Sequence, residues 1–141
     1  MKHLFAYGTL MCRDIMAEVS GQDAVRESTP IPAVLRDYRR LCVRGEHYPA
    51  LIRQAGHQVD GVVYRDISRS AWQRLDRFEG EMYSRLDEQV EMAAGETIIA
   101  SVYVLHADYR DCLDDREWDF DAFLRHGKKY FRNSYLGYDE I

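Results

Sequence analysis

A glutamate near the middle of the chain occupies a position from which it could exchange protons with a ligand. A helix is predicted from Ser70 to Gly80, since Ser68 or Ser70 can cap its start and a glycine suits the position just past its end. At about 100° per residue, Glu79 falls on the apolar arc of this helix, whereas Glu81 would point to water. The apolar arc consists of Ala71, Trp72, Leu75 and Phe78.

The predicted surroundings of Glu79 would make it an acid–base group. Loss of hydration on the apolar side of a helix raises the pKa of a carboxyl group. The negative end of the helix dipole in the last turn raises that pKa further. A carboxyl group that titrates near neutral pH can both accept and return a proton. Two alternatives stay open, because the side chain could instead turn outward or pair with an arginine such as Arg85.

The second candidate feature is a glycine turn between a strand and a helix. A short apolar run from Leu4 to Tyr7 stops at Gly8, and apolar residues then recur at helical spacing from Met11 to Val19. The successive amides of the turn Tyr7-Gly8-Thr9-Leu10 can converge on an anion. The turn lacks the length and the lysine of a nucleotide phosphate loop. Taken alone it has a simpler explanation, since most such turns only reverse the chain.

The remaining pattern predicts the elements that would position these two features. Short strands are expected at Arg39–Arg44, Ala50–Arg53, Val59–Ile67, Arg85–Met92 and Thr97–Leu105, the last two as a hairpin. Together with the first strand and about three helices, they predict an α+β fold, a small mixed β-barrel with a few flanking helices.

Three local patterns carry further expectations. Gly61, inside a strand, predicts a bulge or a sharp bend. Pro30 and Pro32 predict a break in regular structure before Ala33. A basic run interleaved with Tyr130 and Phe131 predicts a solvated helix face, and its members are Arg125, His126, Lys128, Lys129 and Arg132.

Length, charge and cysteine content exclude several classes of function. The 141 residues allow a single domain, 1–141. With 19 basic and 24 acidic residues the net charge is −5, which disfavours a nucleic-acid partner. No apolar run approaches the roughly 20 residues that span a bilayer, so no membrane partner is expected. Three widely spaced cysteines and a start unlike a signal peptide suit a cytoplasmic protein with reduced thiols. The oligomeric state stays open.

The two candidate features together resemble the gamma-glutamylcyclotransferase-like proteins, including the plant avirulence-induced type and the gamma-glutamylamine cyclotransferases. The resemblance rests on Phe5-Ala6-Tyr7-Gly8-Thr9-Leu10-Met11 and on Leu75-Asp76-Arg77-Phe78-Glu79-Gly80. Supporting pieces are Tyr48-Pro49-Ala50, Gly61-Val62-Val63-Tyr64, Tyr83-Ser84-Arg85 and Glu117-Trp118-Asp119-Phe120. These pieces span most of the chain in the expected order.

The resemblance implies a fold, an activity and a set of site residues. The family folds as a small mixed β-barrel and converts gamma-glutamyl amides to 5-oxoproline and a free amine, an acyltransferase- or lyase-type reaction without metal or cofactor. Glu79 would be the proton acceptor. The glutamyl head of this small-molecule substrate would lie on the turn and its extension, which are Tyr7, Gly8, Thr9, Leu10, Met11 and Cys12. Tyr83 and Tyr103 are expected to be further contacts, although a tyrosine on a strand often only packs.

Two alternatives to this enzyme remain at the level of the sequence. A non-catalytic domain could use the same cleft to bind a carboxylate metabolite or a protein tail. A related enzyme could remove a gamma-glutamyl protecting group from a biosynthetic intermediate. An idle buried carboxylate is costly, and this favours an enzyme over the binding domain.

Overall fold

A closed barrel of five strands forms the frame of the molecule in the computed structural model, which describes residues 2–135. The strands are β1 (Lys2–Ala6), β2 (Ile31–Val43), β3 (Pro49–Ile67), β4 (Tyr83–Met92) and β5 (Thr97–Leu105). They follow the order β3-β1-β5-β4-β2, and pairing of β2 with β3 closes the barrel. A short strand, β6 (Leu113–Glu117), pairs with the outer edge of β2. Only the β1–β5 pair is parallel, so the predicted small mixed barrel is confirmed.

Four α-helices flank the barrel: α1 (Arg13–Ser20), α2 (Arg69–Glu79), α3 (Phe120–Ala122) and α4 (Lys128–Tyr135). A π-helical stretch, Phe123–Gly127, joins the last two, and residues 120–135 are here called the C-terminal helical segment. Single 3₁₀ turns occupy Thr9–Met11, Asp23–Glu27, Gly80–Met82 and Ala107–Cys112. Ser68 caps α2 by accepting a hydrogen bond from the Ala71 amide at 3.2 Å. Gly80, with φ 72°, ends this helix as predicted.

The long hairpin of β2 and β3 corrects two expectations about the strands. The strands predicted separately at 39–44, 50–53 and 59–67 are parts of this one hairpin. The break predicted at Pro32 is wrong, because Pro32 lies inside β2 opposite Val62. A proline near the start of a strand removes only one N–H from the ladder. Its carbonyl still accepts a hydrogen bond from the Ala93 amide at 3.0 Å.

The bend in this hairpin lies at Asp37 and Gly56 rather than at Gly61. The register shifts between Arg36 and Tyr38, Asp37 has a φ of 65°, and Gly56 has a φ of 86°. The Gly56 amide donates to the Asp37 carboxylate at 3.1 Å, which fixes the bend. Gly61 itself pairs regularly with Ala33. The bulge predicted from Gly61 is therefore wrong.

Gly61 is instead required by close packing against β1. An added Cβ atom would lie 2.6 Å from Cζ of Phe5 and would also meet the carbonyl oxygen of Ala6. Phe5 is 1% exposed and cannot move aside. Glycine is the residue that permits such an approach of one backbone to another.

Alternate residues of β1 contribute to two separate cores, as the two-residue period of a strand requires. Phe5 belongs to an interior cluster built only from strand residues and Tyr7, which also includes Leu35, Val63, Val90 and Val102. Leu4 belongs to a second cluster between the barrel and the helices, which also includes Ile15, Tyr64, Leu75 and Phe123. In β5 the residues from Ala100 to Leu105 are all buried, so both faces of this part of the strand are covered. The last residues of β1 and β5 thus approach both the barrel interior and the helices.

The three cysteines, Cys12, Cys42 and Cys112, are free thiols. No helix within residues 2–135 is both long and apolar enough to cross a membrane.

Replacement of Gly61 by alanine tests the close contact between β3 and β1. We expect Gly61→Ala to lower the free energy of unfolding by roughly 1–3 kcal/mol, the usual cost of overpacking a core. Urea unfolding followed by circular dichroism measures this loss. His57→Ala, at an exposed position of the same strand, is the matched control and should change stability by less than about 0.5 kcal/mol. Equal stability of the two variants would contradict the packing described above.

Candidate active site

A cavity of about 210 Å³ lies where the end of β1 meets the end of α2 and the C-terminal helical segment. Seven of the residues that the sequence singled out line it: Tyr7, Gly8, Thr9, Leu10, Glu79, Tyr83 and Tyr103. The glutamate and the glycine turn, which lie some seventy positions apart in the sequence, therefore face one common space. A cavity of this size suits a compact metabolite.

Glu79 is the last residue of α2 and lines the cavity. The buried face of this helix is formed by Ala71, Trp72 and Leu75, which agrees with the predicted phase. Among the side chains that the structure describes, those of residues 2–131, none donates a hydrogen bond to the Glu79 carboxylate or forms an ion pair with it. Burial, and secondarily the charge of Asp76, raises the pKa of Glu79 from 4.5 to about 8. Glu81, in contrast, is exposed.

Arg85, the alternative partner for Glu79, is held by another carboxylate. Its Nε lies 3.1 Å from Oδ1 of Asp76, and its guanidinium lies 4.3 Å above the ring of Trp72. The Tyr103 hydroxyl donates to the same Asp76 oxygen at 2.7 Å. Asp76 therefore takes the positive charge that could otherwise have neutralised Glu79. Its own negative charge adds to the rise of the Glu79 pKa.

The glycine turn is fixed from outside by two long-range hydrogen bonds to its carbonyls. Nη1 of Arg40 donates to the Tyr7 carbonyl at 2.7 Å. The Tyr64 hydroxyl donates to the Leu10 carbonyl at 2.6 Å. Because a trans peptide holds its C=O and N–H on opposite sides, the Gly8 amide points away from Arg40. Both ends of the turn are thereby held in one orientation.

The inner carbonyls of the turn are satisfied by its own 3₁₀ geometry. The Met11 amide donates to the Gly8 carbonyl at 2.9 Å, and the Cys12 amide donates to the Thr9 carbonyl at 3.1 Å. The Met11 amide is the first to donate a hydrogen bond within this 3₁₀ turn. The amides of Thr9 and Leu10 come before it in the chain and therefore have no acceptor within the turn. Every carbonyl from Tyr7 to Leu10 thus has a donor. The N–H groups are what the turn can offer to a ligand.

Met11 and Cys12, the predicted extension of the turn, do not line the cavity. Both are partly buried against the helix-side core. The Cys12 thiol donates to Oδ1 of Asp14 at 2.6 Å. Burial and this hydrogen bond raise the pKa of Cys12, so the thiol is not activated as a nucleophile.

The predicted tyrosines line the cavity, but their hydroxyl protons are directed to protein acceptors. Tyr83 donates to the Pro49 carbonyl at 2.8 Å, and Tyr103 donates to Asp76. Tyr7 donates to the Tyr103 carbonyl at 2.6 Å. Burial first and the charge of Glu79 second raise the pKa of Tyr7 well above its usual range, which keeps this phenol neutral. In this arrangement the three rings act as walls rather than as donors to a ligand.

The sequence alone did not assign a role in the site to five further aromatic and apolar residues that line the cavity. They are Tyr48, Pro49, Phe78, Met82 and Phe131. Tyr48 and Pro49 stood in a motif of the resemblance, and Phe78 was placed on the apolar arc of α2. Phe131 carried no such signal, because it lies in the basic run that predicted a solvated face. The basic residues Arg125, His126 and Lys129 are exposed, whereas Phe131 among them is 3% exposed and packs against the helix-side core.

The arrangement can bind a small anion-bearing molecule and move a proton on it. The turn supplies amides, the aromatic residues supply apolar walls, and Glu79 supplies one carboxyl group that titrates near neutral pH. No group of three or more metal-ligating side chains within residues 2–135 is placed to hold a metal ion.

Comparison with known protein families gives one match that covers most of the chain. The profile of the family described as gamma-glutamyl cyclotransferase, AIG2-like, matches residues 4–120. The matched range contains the glycine turn and Glu79 but ends before most of the C-terminal helical segment. Protein AIG2 C of Arabidopsis thaliana is similar, with 28% identity over 130 residues, 91% of this chain and 76% of that protein.

Solved structures show the same architecture. A solution structure of an Arabidopsis thaliana protein has 25% identity and a TM-score of 0.67, and the match covers 94% of this chain and 79% of that one. A protein described as a gamma-glutamyl cyclotransferase has 19% identity and a TM-score of 0.62, and covers 74% of this chain and 66% of its own. The second of these likenesses concerns the fold alone.

The raised pKa of Glu79 predicts a pH dependence of stability. A carboxyl group whose folded pKa exceeds its unfolded value stabilises the folded state while protonated, so this contribution is fully present below pH 4.5 and is lost as the pH rises to about 8. Wild type should therefore lose stability relative to Glu79→Gln across this window, by at most about 1.4 kcal/mol per pH unit for one proton. Urea unfolding from pH 4 to 9 measures the difference. Parallel curves for the two proteins would show that Glu79 titrates normally.

Proposed function

Because the chain belongs to the AIG2-like gamma-glutamyl cyclotransferase family, we propose that it converts a gamma-glutamyl amide to 5-oxoproline and a free amine. Glu79 would be the group that moves the protons. The observation that carries this proposal is a carboxyl group with a pKa of about 8 that shares one small cavity with the glycine turn. The removal of a gamma-glutamyl protecting group is the same reaction on a different amine, and falls within the proposal.

The substrate supplies its own nucleophile in this reaction. Glu79 accepts a proton from the α-ammonium group, and the resulting amine attacks the γ-carbonyl carbon. A ring C–N bond forms, and the C–N bond to the leaving amine breaks as its nitrogen is protonated. Two protons leave the α-ammonium nitrogen and two reach the departing nitrogen, so Glu79 ends in its starting state. No atom is oxidised or reduced.

The cavity contributes by holding the substrate in a folded conformation. Bringing the amine and the carbonyl of one molecule together can raise the rate by several orders of magnitude. This requires that the α-carboxylate be fixed while the chain curls back on itself. The amide N–H groups of the glycine turn are suited to bind that carboxylate. The carbonyl oxygens of the turn already accept hydrogen bonds within the protein, so only its N–H groups are available to a ligand. Glu79 has no basic partner among the described side chains and is left to the α-ammonium group.

The environment of Glu79 matches the proton transfers that the reaction needs. A pKa of about 8 makes the carboxylate a stronger base than an ordinary glutamate while keeping a useful fraction ionised at neutral pH. The α-ammonium group of the substrate lies beside a free carboxylate, which holds its pKa above the value of about 8 for a chain terminus. A base with a raised pKa therefore removes this proton at a smaller free-energy cost than an ordinary glutamate would.

Substitution of Glu79 is the direct test of this function. We expect Glu79→Gln to lower the turnover number by roughly 10²–10⁴-fold, the usual contribution of a general base. The assay is the release of 5-oxoproline from a panel of gamma-glutamyl amides, measured by chromatography. Glu81→Gln, two positions away and exposed, is the matched control and should keep full activity. A larger loss of activity in Glu81→Gln than in Glu79→Gln would contradict the assignment of Glu79 as the base. Tight binding of a gamma-glutamyl compound without release of 5-oxoproline would indicate a binding protein instead of an enzyme.

The pH–rate profile gives an independent test of the same residue. The reaction needs the ionised carboxylate and the α-ammonium form of the substrate, so kcat/KM of the wild type should rise tenfold per pH unit below pH 8, level off near the pKa of Glu79, and fall at the higher pH where the substrate loses its proton. The residual activity of Glu79→Gln should follow only the titration of the substrate's α-ammonium group. The same limb in both proteins would mean that another group is the base.

A further inference from the structure

The C-terminal helical segment adds one wall to the cavity that the family match does not contain. The match ends at residue 120, whereas Phe131 lies on α4 and lines the cavity. The Phe131 ring contacts the rings of Phe78, Phe123 and Tyr48, with centroid distances of 6.0, 5.8 and 6.4 Å. Phe78 and Tyr48 line the cavity as well, so three aromatic rings meet at this wall.

Several contacts hold this segment in place against the barrel. Nζ of Lys128 lies 3.0 Å from Oδ2 of Asp14, at the start of α1. The ring of Tyr130 stacks on that of His47 at 5.4 Å. Gly127 packs so closely on His47 that an added Cβ would lie 3.0 Å from its Nδ1. Phe131 is thus positioned by contacts of the residues that directly precede it.

The lining of the cavity contains a single charged residue. Fifteen described residues line it, and Glu79 is the only one among them that is aspartate, glutamate, lysine, arginine or histidine. The proposed function engages Glu79 with the α-ammonium group. A charged leaving group held against these walls would lose hydration without a partner. An aromatic or aliphatic group would gain ring contacts and apolar burial.

We propose that Phe131, with Tyr48 and Phe78, forms the compartment for the leaving amine, and that this compartment selects substrates whose leaving group is uncharged and apolar, with aromatic amines favoured. This inference rests on the proposed function, which places the glutamyl head on the turn and beside Glu79. Phe131 is a specificity-determining residue and takes no part in the proton transfers. The amine leaves past an aromatic wall that the C-terminal helical segment provides.

The test compares analogues that cannot cyclise, so that binding is read without catalysis. N-glutaryl benzylamide, N-glutaryl methylamide and N-glutarylglycine lack the α-amine and differ only in the group that stands for the leaving amine. Calorimetry on the full chain should show benzylamide binding at least tenfold tighter than the glycine derivative. The corresponding gamma-glutamyl compounds, assayed for 5-oxoproline, should follow the same order in kcat/KM.

Phe131→Leu tests the residue itself, because it keeps apolar volume and removes the ring. We expect the benzylamide to bind roughly three- to tenfold more weakly, as loss of a ring contact predicts, and the methylamide to bind unchanged. Phe123→Leu is the matched control, since Phe123 is equally buried at 3% and packs on Phe131 but does not line the cavity. Thermal unfolding of each variant shows whether it is folded.

The outcomes separate this inference from the proposed function. Benzylamide binding that depends on Phe131, without 5-oxoproline from any substrate, would overturn the reaction and support the compartment. Release of 5-oxoproline from the gamma-glutamyl methylamide, with equal rates for the benzyl and glycine compounds, would support the reaction and overturn the compartment. Equal effects of Phe131→Leu and Phe123→Leu, or no measurable binding of the benzylamide, would also overturn the compartment.

Discussion

The site depends on one half-buried carboxyl group, that of Glu79, which has no basic partner among the described side chains. A carboxylate loses hydration when buried, and an arginine within reach would normally restore its usual pKa. Here Arg85 is near the same helix, but Asp76 holds it together with the Tyr103 hydroxyl. Glu79 is left within the cavity with its pKa raised to about 8. Because Asp76 pairs with Arg85, Glu79 keeps the raised pKa that the proposed proton transfers need.

The barrel holds the glycine turn at the cavity that Glu79 also lines. β1, the strand that leads into the turn, pairs in parallel with β5. Arg40 and Tyr64, from β2 and β3, then hold the first and last carbonyls of the turn. Gly61 lets β3 approach β1 closely enough for these strands to pack. The donors of the turn are therefore oriented before any ligand arrives, which avoids the free-energy cost of ordering them on binding.

The third wall of the cavity comes from a part of the chain beyond the family match. Phe131 lies on a helix whose charged neighbours suggested a surface role, yet its ring is buried against Phe78 and Phe123. The same helix shows Tyr130 to solvent with 60% of its surface exposed. One amphipathic segment thus combines a solvated face with an apolar one, as helices that cover a core commonly do.

The sequence by itself determined α2 and the inward direction of Glu79, because the helical period depends only on local spacing, but it divided the β2–β3 hairpin into separate short strands. It also indicated the mixed barrel, the hairpin of β4 and β5 and the capping of α2. Tertiary structure decided which residues meet: that Asp76 rather than Glu79 pairs with Arg85, that the tyrosine hydroxyls are directed to protein acceptors, and that Phe131 turns inward. The irregularity predicted at Gly61 of β3 is found in the structure at Gly56. These outcomes depend on contacts between residues far apart in the chain, and no local pattern of side chains encodes which partner a charge or a ring will find.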